Sequence, residues 1–151
     1  MRSSLASAAL LTLIACGKSN DQAAAADTTA AMPAPITLAD VAGKWNVKTM
    51  AMGSDSALLT FEITAGADAS GWTFTFPGKD PVPVRVVEVA GDSITTEAGP
   101  YESALRPGVQ VSTHSVMRLA DGKLVGATVA RYNVATADSV ILLHTEGTRA
   151  Q

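Results

Sequence analysis

VQVSTHSVMRLADGKLVGATVARYN, residues 109–133, is the stretch on which the reading of the fold turns. Residues 109–119 and 123–133 are two runs rich in Val, Thr and Ala that flank Asp121-Gly122. Asp-Gly between two such runs supplies the left-handed residues that a tight hairpin turn demands, so the stretch reads as two antiparallel strands. Alternation then places His114, Arg118, Val129 and Arg131 on one shared face. A charged residue inside a strand must face water or be paired inside. The shared face is therefore either a pocket wall for an anion or the solvated exterior, and a bulge at the turn would exchange the two.

The same period-two pattern extends outward in both directions. Residues 44–50 set Trp45, Val47 and Thr49 on one side, residues 57–64 set Leu59, Phe61 and Ile63, and residues 72–76 set Trp72, Phe74 and Phe76. Residues 83–90 and 93–98 join at Ala90-Gly91-Asp92, with Val84, Val86, Ile94 and Thr96 facing inward. Residues 139–148 supply a last strand around Val140-Ile141-Leu142-Leu143. Residues 99–108 interrupt the pattern and read as a loop with one helical turn at 102–105. Eight short strands joined by hairpins predict an all-β domain over residues 37–149, an up-and-down antiparallel barrel that leaves no free edge. The alternative is a β-sandwich.

Composition narrows the function classes. A chain of 151 residues with one leader and one tether leaves a single domain. Acidic residues outnumber basic ones by 14 to 11, which argues against nucleic acid, whose phosphates need a clustered Lys/Arg face. A membrane-spanning barrel needs an apolar outer band, whereas Lys48, Glu62, Thr73 and Thr75 fall opposite the core positions.

The N-terminus carries export chemistry. Arg2 precedes an apolar stretch at residues 5–14, too short to cross a bilayer, and Leu13-Ile14-Ala15-Cys16 closes it. That tetrapeptide resembles the lipobox of bacterial lipoproteins. The resemblance implies a signal peptide over residues 1–15 and lipidation of Cys16, the sole cysteine, as the first residue of the mature protein. Two acyl chains anchor a protein stably, so the expected partner through Cys16 is a membrane. Residues 16–36 shift to Ala, Asp, Thr and Pro without apolar periodicity and read as a flexible tether. The address is the cell envelope on the periplasmic side. Gly17, where an aspartate would resemble an inner-membrane retention signal, leans it toward the outer membrane.

Leu38-Ala39-Asp40-Val41-Ala42-Gly43-Lys44-Trp45 resembles the lead-in to the first strand of lipocalin-like barrels, where a short helical turn runs into Gly-x-Trp. In that superfamily, the calycins, a basic residue at the end of the last strand packs over the tryptophan. The resemblance implies a cation–π pair between Trp45 and Arg149. It does not extend to the known ligands. The fatty-acid binders use Arg-x-Tyr, whereas Arg131 and Tyr132 are adjacent here and point to opposite faces. The biotin binders use several tryptophans, and this chain has 2.

No reaction is written in the sequence. His114 and Ser115 are strand neighbours and point apart. Ser112 shares the face of His114, and His144 shares that of Val140 and Leu142, yet spacing fixes no acid beside either histidine. Two histidines and one thiol cannot supply a metal's converging ligands, and Asp68, Asp80, Asp92 and Asp121 sit in separate turns. No strand, glycine loop and helix follow one another as phosphate binding requires. The expectation is a non-catalytic protein without metal or cofactor that binds one small apolar or amphipathic ligand. His114, Arg118 and Arg131 are its candidate ligand-facing residues. The alternative is a barrel filled by its own side chains that contacts another envelope protein.

Overall fold

The computed structural model describes residues 35–151. The expected signal peptide, Cys16 and nearly all of the expected tether lie outside the described residues. The remainder folds as a closed eight-stranded antiparallel barrel in strict up-and-down order, so the sandwich alternative is set aside. After a short helix α1 (Leu38–Val41) come β1 (Gly43–Ala51), β2 (Ala57–Ala65), β3 (Thr73–Thr75) and β4 (Val82–Ala90). They are followed by β5 (Ser93–Glu102), β6 (Gln110–Ala120), β7 (Lys123–Tyr132) and β8 (Val140–Arg149).

The hairpin that decided the reading forms without a slip. Asp121 and Gly122 both lie in the left-handed region, at φ 51° and 74°, the geometry whose twist matches the strands it joins. Register then runs unbroken from Ala120 opposite Lys123 to Val111 opposite Tyr132. β8 closes the barrel against β1, from Trp45 opposite Arg149 to Ala51 opposite Leu143.

Three local expectations are corrected. Ile36, expected as the last tether residue, packs into the core, and its N–H donates to Gly91 O at 2.8 Å. β3 has three residues where five were expected, with Trp72 and Phe76 flanking it and facing inward. Residues 99–102 continue β5 instead of opening a loop, and no helical turn forms at 102–105. Gly99 is the physical reason for the last difference. It sits at φ 108° where the register shifts, and a Cβ there would fall 2.7 Å from Val111 O. Alternation read from side chains alone cannot see such a bulge.

The first and last elements of the barrel domain meet at one mouth. Trp45, fully buried, donates its indole N–H to Val41 O at 2.8 Å, which fastens α1 across the opening. The Arg149 guanidinium lies 4.4 Å from the centre of the Trp45 ring and donates to Ala42 O at 2.8 Å and Asp40 O at 2.6 Å. Gly43 makes room for it, since a Cβ there would come within 3.3 Å of Arg149 Nη1. At the start of α1, the Thr37 N–H and hydroxyl both donate to the Asp40 carboxylate, at 2.8 and 2.7 Å. Those bonds, the hydroxyl's first, hold the Asp40 carboxyl below its usual range. Beneath this seal lies the apolar half of the core, with Val47, Ile63, Trp72, Phe74, Ile94, Met117 and Leu124.

Candidate functional site

Toward the opposite mouth the interior changes character. One wall is aromatic: Phe61 meets Phe74 edge to face at 5.3 Å and Phe76 at 5.1 Å, and Phe76 stacks on Tyr101 at 5.7 Å. The facing wall is a belt of hydroxyls contributed by five successive strands: Thr96 on β5, Ser115 on β6, Thr128 on β7, Thr145 on β8 and Thr49 on β1. All five are buried. Strand register aligns them, with Thr96 opposite Ser115, Ser115 opposite Thr128, and Thr145 opposite Thr49.

The hydroxyls partly satisfy one another. Ser115 Oγ lies 2.8 Å from Thr128 Oγ1, which lies 3.2 Å from Thr145 Oγ1, and Thr49 Oγ1 donates to Leu59 O at 3.5 Å. Thr96 Oγ1, although its residue is only 1% exposed, has no hydrogen-bond partner among the described residues. Thr113 Oγ1, beside the Tyr101 phenol, lacks a partner of good geometry. A buried polar group is informative where buried apolar groups are routine, because each unsatisfied hydroxyl costs about 1 to 3 kcal/mol. Burial pushes the Tyr101 phenol above its usual pKa; Thr113 opposes the shift and Tyr132 adds to it.

The loop after β5 closes this mouth. The Ser103 hydroxyl accepts from the N–H groups of Leu105 at 3.1 Å and Arg106 at 3.0 Å, and Ser103 N donates to Val109 O at 2.8 Å. This tight turn hangs Ala104 and Leu105 over the interior. Arg106 fastens the loop to the far side, its guanidinium 4.3 Å from the Tyr132 ring centre and its Nη2 2.7 Å from Asp138 Oδ2. The Asp138 carboxyl is held below its usual range, by Thr136 first and by Arg106 among the lesser causes. With the loop in place, the free volume inside is about 50 Å³.

The candidate ligand-facing residues stand elsewhere. His114, Arg118 and Arg131 are all exposed on the outer surface, because the unbroken register at Asp121-Gly122 turns Val111, Ser115 and Met117 inward. Of the two readings of this face, the structure shows the exterior one. His114 Nδ1 lies 3.5 Å from Glu97 Oε1, and Glu97 also pairs with Arg85. His114 and Arg131 border a shallow outer depression with Pro83, Gly99 and Ser112. His144 is likewise outside, so neither histidine reaches the inward hydroxyls of Thr49, Thr96, Ser115, Thr128 and Thr145. Trp45 and Arg149, by contrast, are brought together at the sealed mouth.

Among the described residues, no group of three His, Cys, Asp or Glu side chains is placed to hold a metal ion. The hydroxyl belt was legible in part, since alternation had put Thr49 beside Trp45 and Thr96 beside Ile94. Ser115, Thr128 and Thr145 became visible only once register was known. No protein-family model matches the chain, and no curated protein or solved structure matches it.

Proposed function

We propose that the chain is a membrane-anchored lipoprotein of the cell envelope whose lipocalin-like barrel is a non-catalytic binder of one small amphipathic molecule. The observation that carries this reading is the hydroxyl belt facing an aromatic wall across the interior. A barrel built only to be filled gains nothing from five inward hydroxyls, one of which, that of Thr96, has no hydrogen-bond partner among the described residues. An amphipath satisfies both walls at once.

Ligand pockets for drug-sized molecules run to roughly 300 Å³ or more. At about 50 Å³, the interior accepts a ligand only as Ala104 and Leu105 withdraw with their loop. The small volume also favours the second reading, a filled barrel whose outer face meets another envelope protein.

The test is uptake of the neutral fluorophore N-phenylnaphthylamine by the full chain carrying Cys16→Ser, which keeps it free of lipid. A saturable fluorescence gain that hexanol reverses supports the binder. No gain, together with a melting temperature that hexanol leaves unchanged, supports the filled barrel. For the anchor, an acyl mass on Cys16 of the wild-type chain is expected, and unchanged membrane association without that mass overturns it.

A further inference from the structure

We infer that the chamber behind the Arg106 loop selects an uncharged hydrogen-bonding amphipath, a short alcohol, ester or amide, over the matching carboxylate or ammonium. The inference rests on the binding reading above and names its ligand class.

Every polar group lining the chamber is neutral: the hydroxyls of Thr49, Ser115, Thr128 and Thr145, the phenols of Tyr101 and Tyr132, and the hydroxyls of Ser103 and Thr113 at its mouth. Among the described residues, no cation lines the chamber, because strand register holds His114, Arg118, Arg131 and His144 outside. Arg106 is at the mouth, but its guanidinium is committed to Asp138 and Tyr132. An ionised ligand would therefore lose its water without gaining a counter-charge, and such a group neutralises rather than enter. The phenol of Tyr101 already answers to that environment, its ionisation opposed by burial.

The belt suits a neutral ligand on counting grounds. Ser115, Thr128 and Thr145 carry one hydroxyl proton each and share only two hydrogen bonds, at 2.8 and 3.2 Å. One proton is left to donate, and each oxygen keeps accepting capacity. Hydroxyl rotors turn to either role, so a ligand hydroxyl or carbonyl is matched equally well. The aromatic wall of Phe61, Phe74 and Phe76 takes the tail.

The experiment is an amide NMR titration of the full chain carrying Cys16→Ser with hexanol, hexanoate and hexylammonium at neutral pH. Hexanol is expected to shift the amides of Ser115, Thr128 and Thr145 and to bind about tenfold tighter than either ion. Hexanoate should gain affinity as the pH is lowered toward its own carboxyl pKa. Thr128→Val should weaken hexanol binding several-fold, and Ser115→Ala provides the same reading if Thr128→Val folds poorly. Equal binding of hexanol and hexanoate overturns the inference while leaving the binding reading intact. No response to any of the three overturns both.

Discussion

If the hydroxyl belt exists for a ligand, removing its three mutually bonded hydroxyls together should cost the fold less than removing the middle one alone. Thr128→Val is the single perturbation: it keeps the shape of the side chain but strands Ser115 Oγ and Thr145 Oγ1, which bond to Thr128 at 2.8 and 3.2 Å. A buried hydroxyl left without a partner costs about 1 to 3 kcal/mol. Taking the low end of that range for each of the two stranded hydroxyls gives a sum of about 2 kcal/mol. The triple change Ser115→Ala, Thr128→Val, Thr145→Val leaves no partner stranded, and replacing all partners by apolar groups is close to neutral. Its expected cost is under about 1 kcal/mol, so the effects are non-additive in a direction that contact counting would not anticipate. Urea unfolding at constant m reads both values. A triple variant less stable than the single one would show that the belt supports the fold, and the argument for a ligand would fail with it.

Three further outcomes follow from named contacts. Arg149→Ala removes the guanidinium over Trp45 and its bonds to two carbonyls, and because that group is exposed the expected loss is about 1 to 2 kcal/mol, read by urea unfolding; Arg149→Lys recovering full stability would refute the role of the planar fork. Arg106→Gln and Asp138→Asn should each speed hydrogen exchange at Leu105 and Val109 while leaving Trp45 and Ile94 protected, since only the loop after β5 loses its fastening. The carboxyls of Asp40, Asp138 and Glu146 are held low, by Thr37, by Thr136 and by Lys123 respectively, so they bind protons more weakly folded than unfolded. Their contribution is therefore fully present above about pH 4, the ordinary carboxyl value, and is lost as pH falls through the lower folded values, which acid titration of the melting temperature will show.

The strands were readable because a sheet with one buried face imposes a period of two, and every core position named from alternation, from Trp45 and Val47 to Ile94, is inward in the structure. The hairpin at Asp121-Gly122 was readable because its turn needs two left-handed residues that few other dipeptides supply. What failed did so where the backbone departs from that period. Gly99 lets β5 pass through a bulge that composition marks as a break, and β3 pairs with β2 only over Thr73–Thr75, although Trp72 O still accepts from Val84 N at 2.9 Å.

The sequence by itself determined an eight-strand alternating pattern and the two ends of the Trp45 and Arg149 pair. Only the tertiary structure decided which face of β6 and β7 is the inside. A one-residue slip exchanges every side chain between core and solvent, and only closure of all eight strands sets the absolute register. That closure put His114, Arg118 and Arg131 outside and gathered Thr49, Thr96, Ser115, Thr128 and Thr145 within. A belt assembled from five strands spans residues far apart in the chain, so no local window could have shown it.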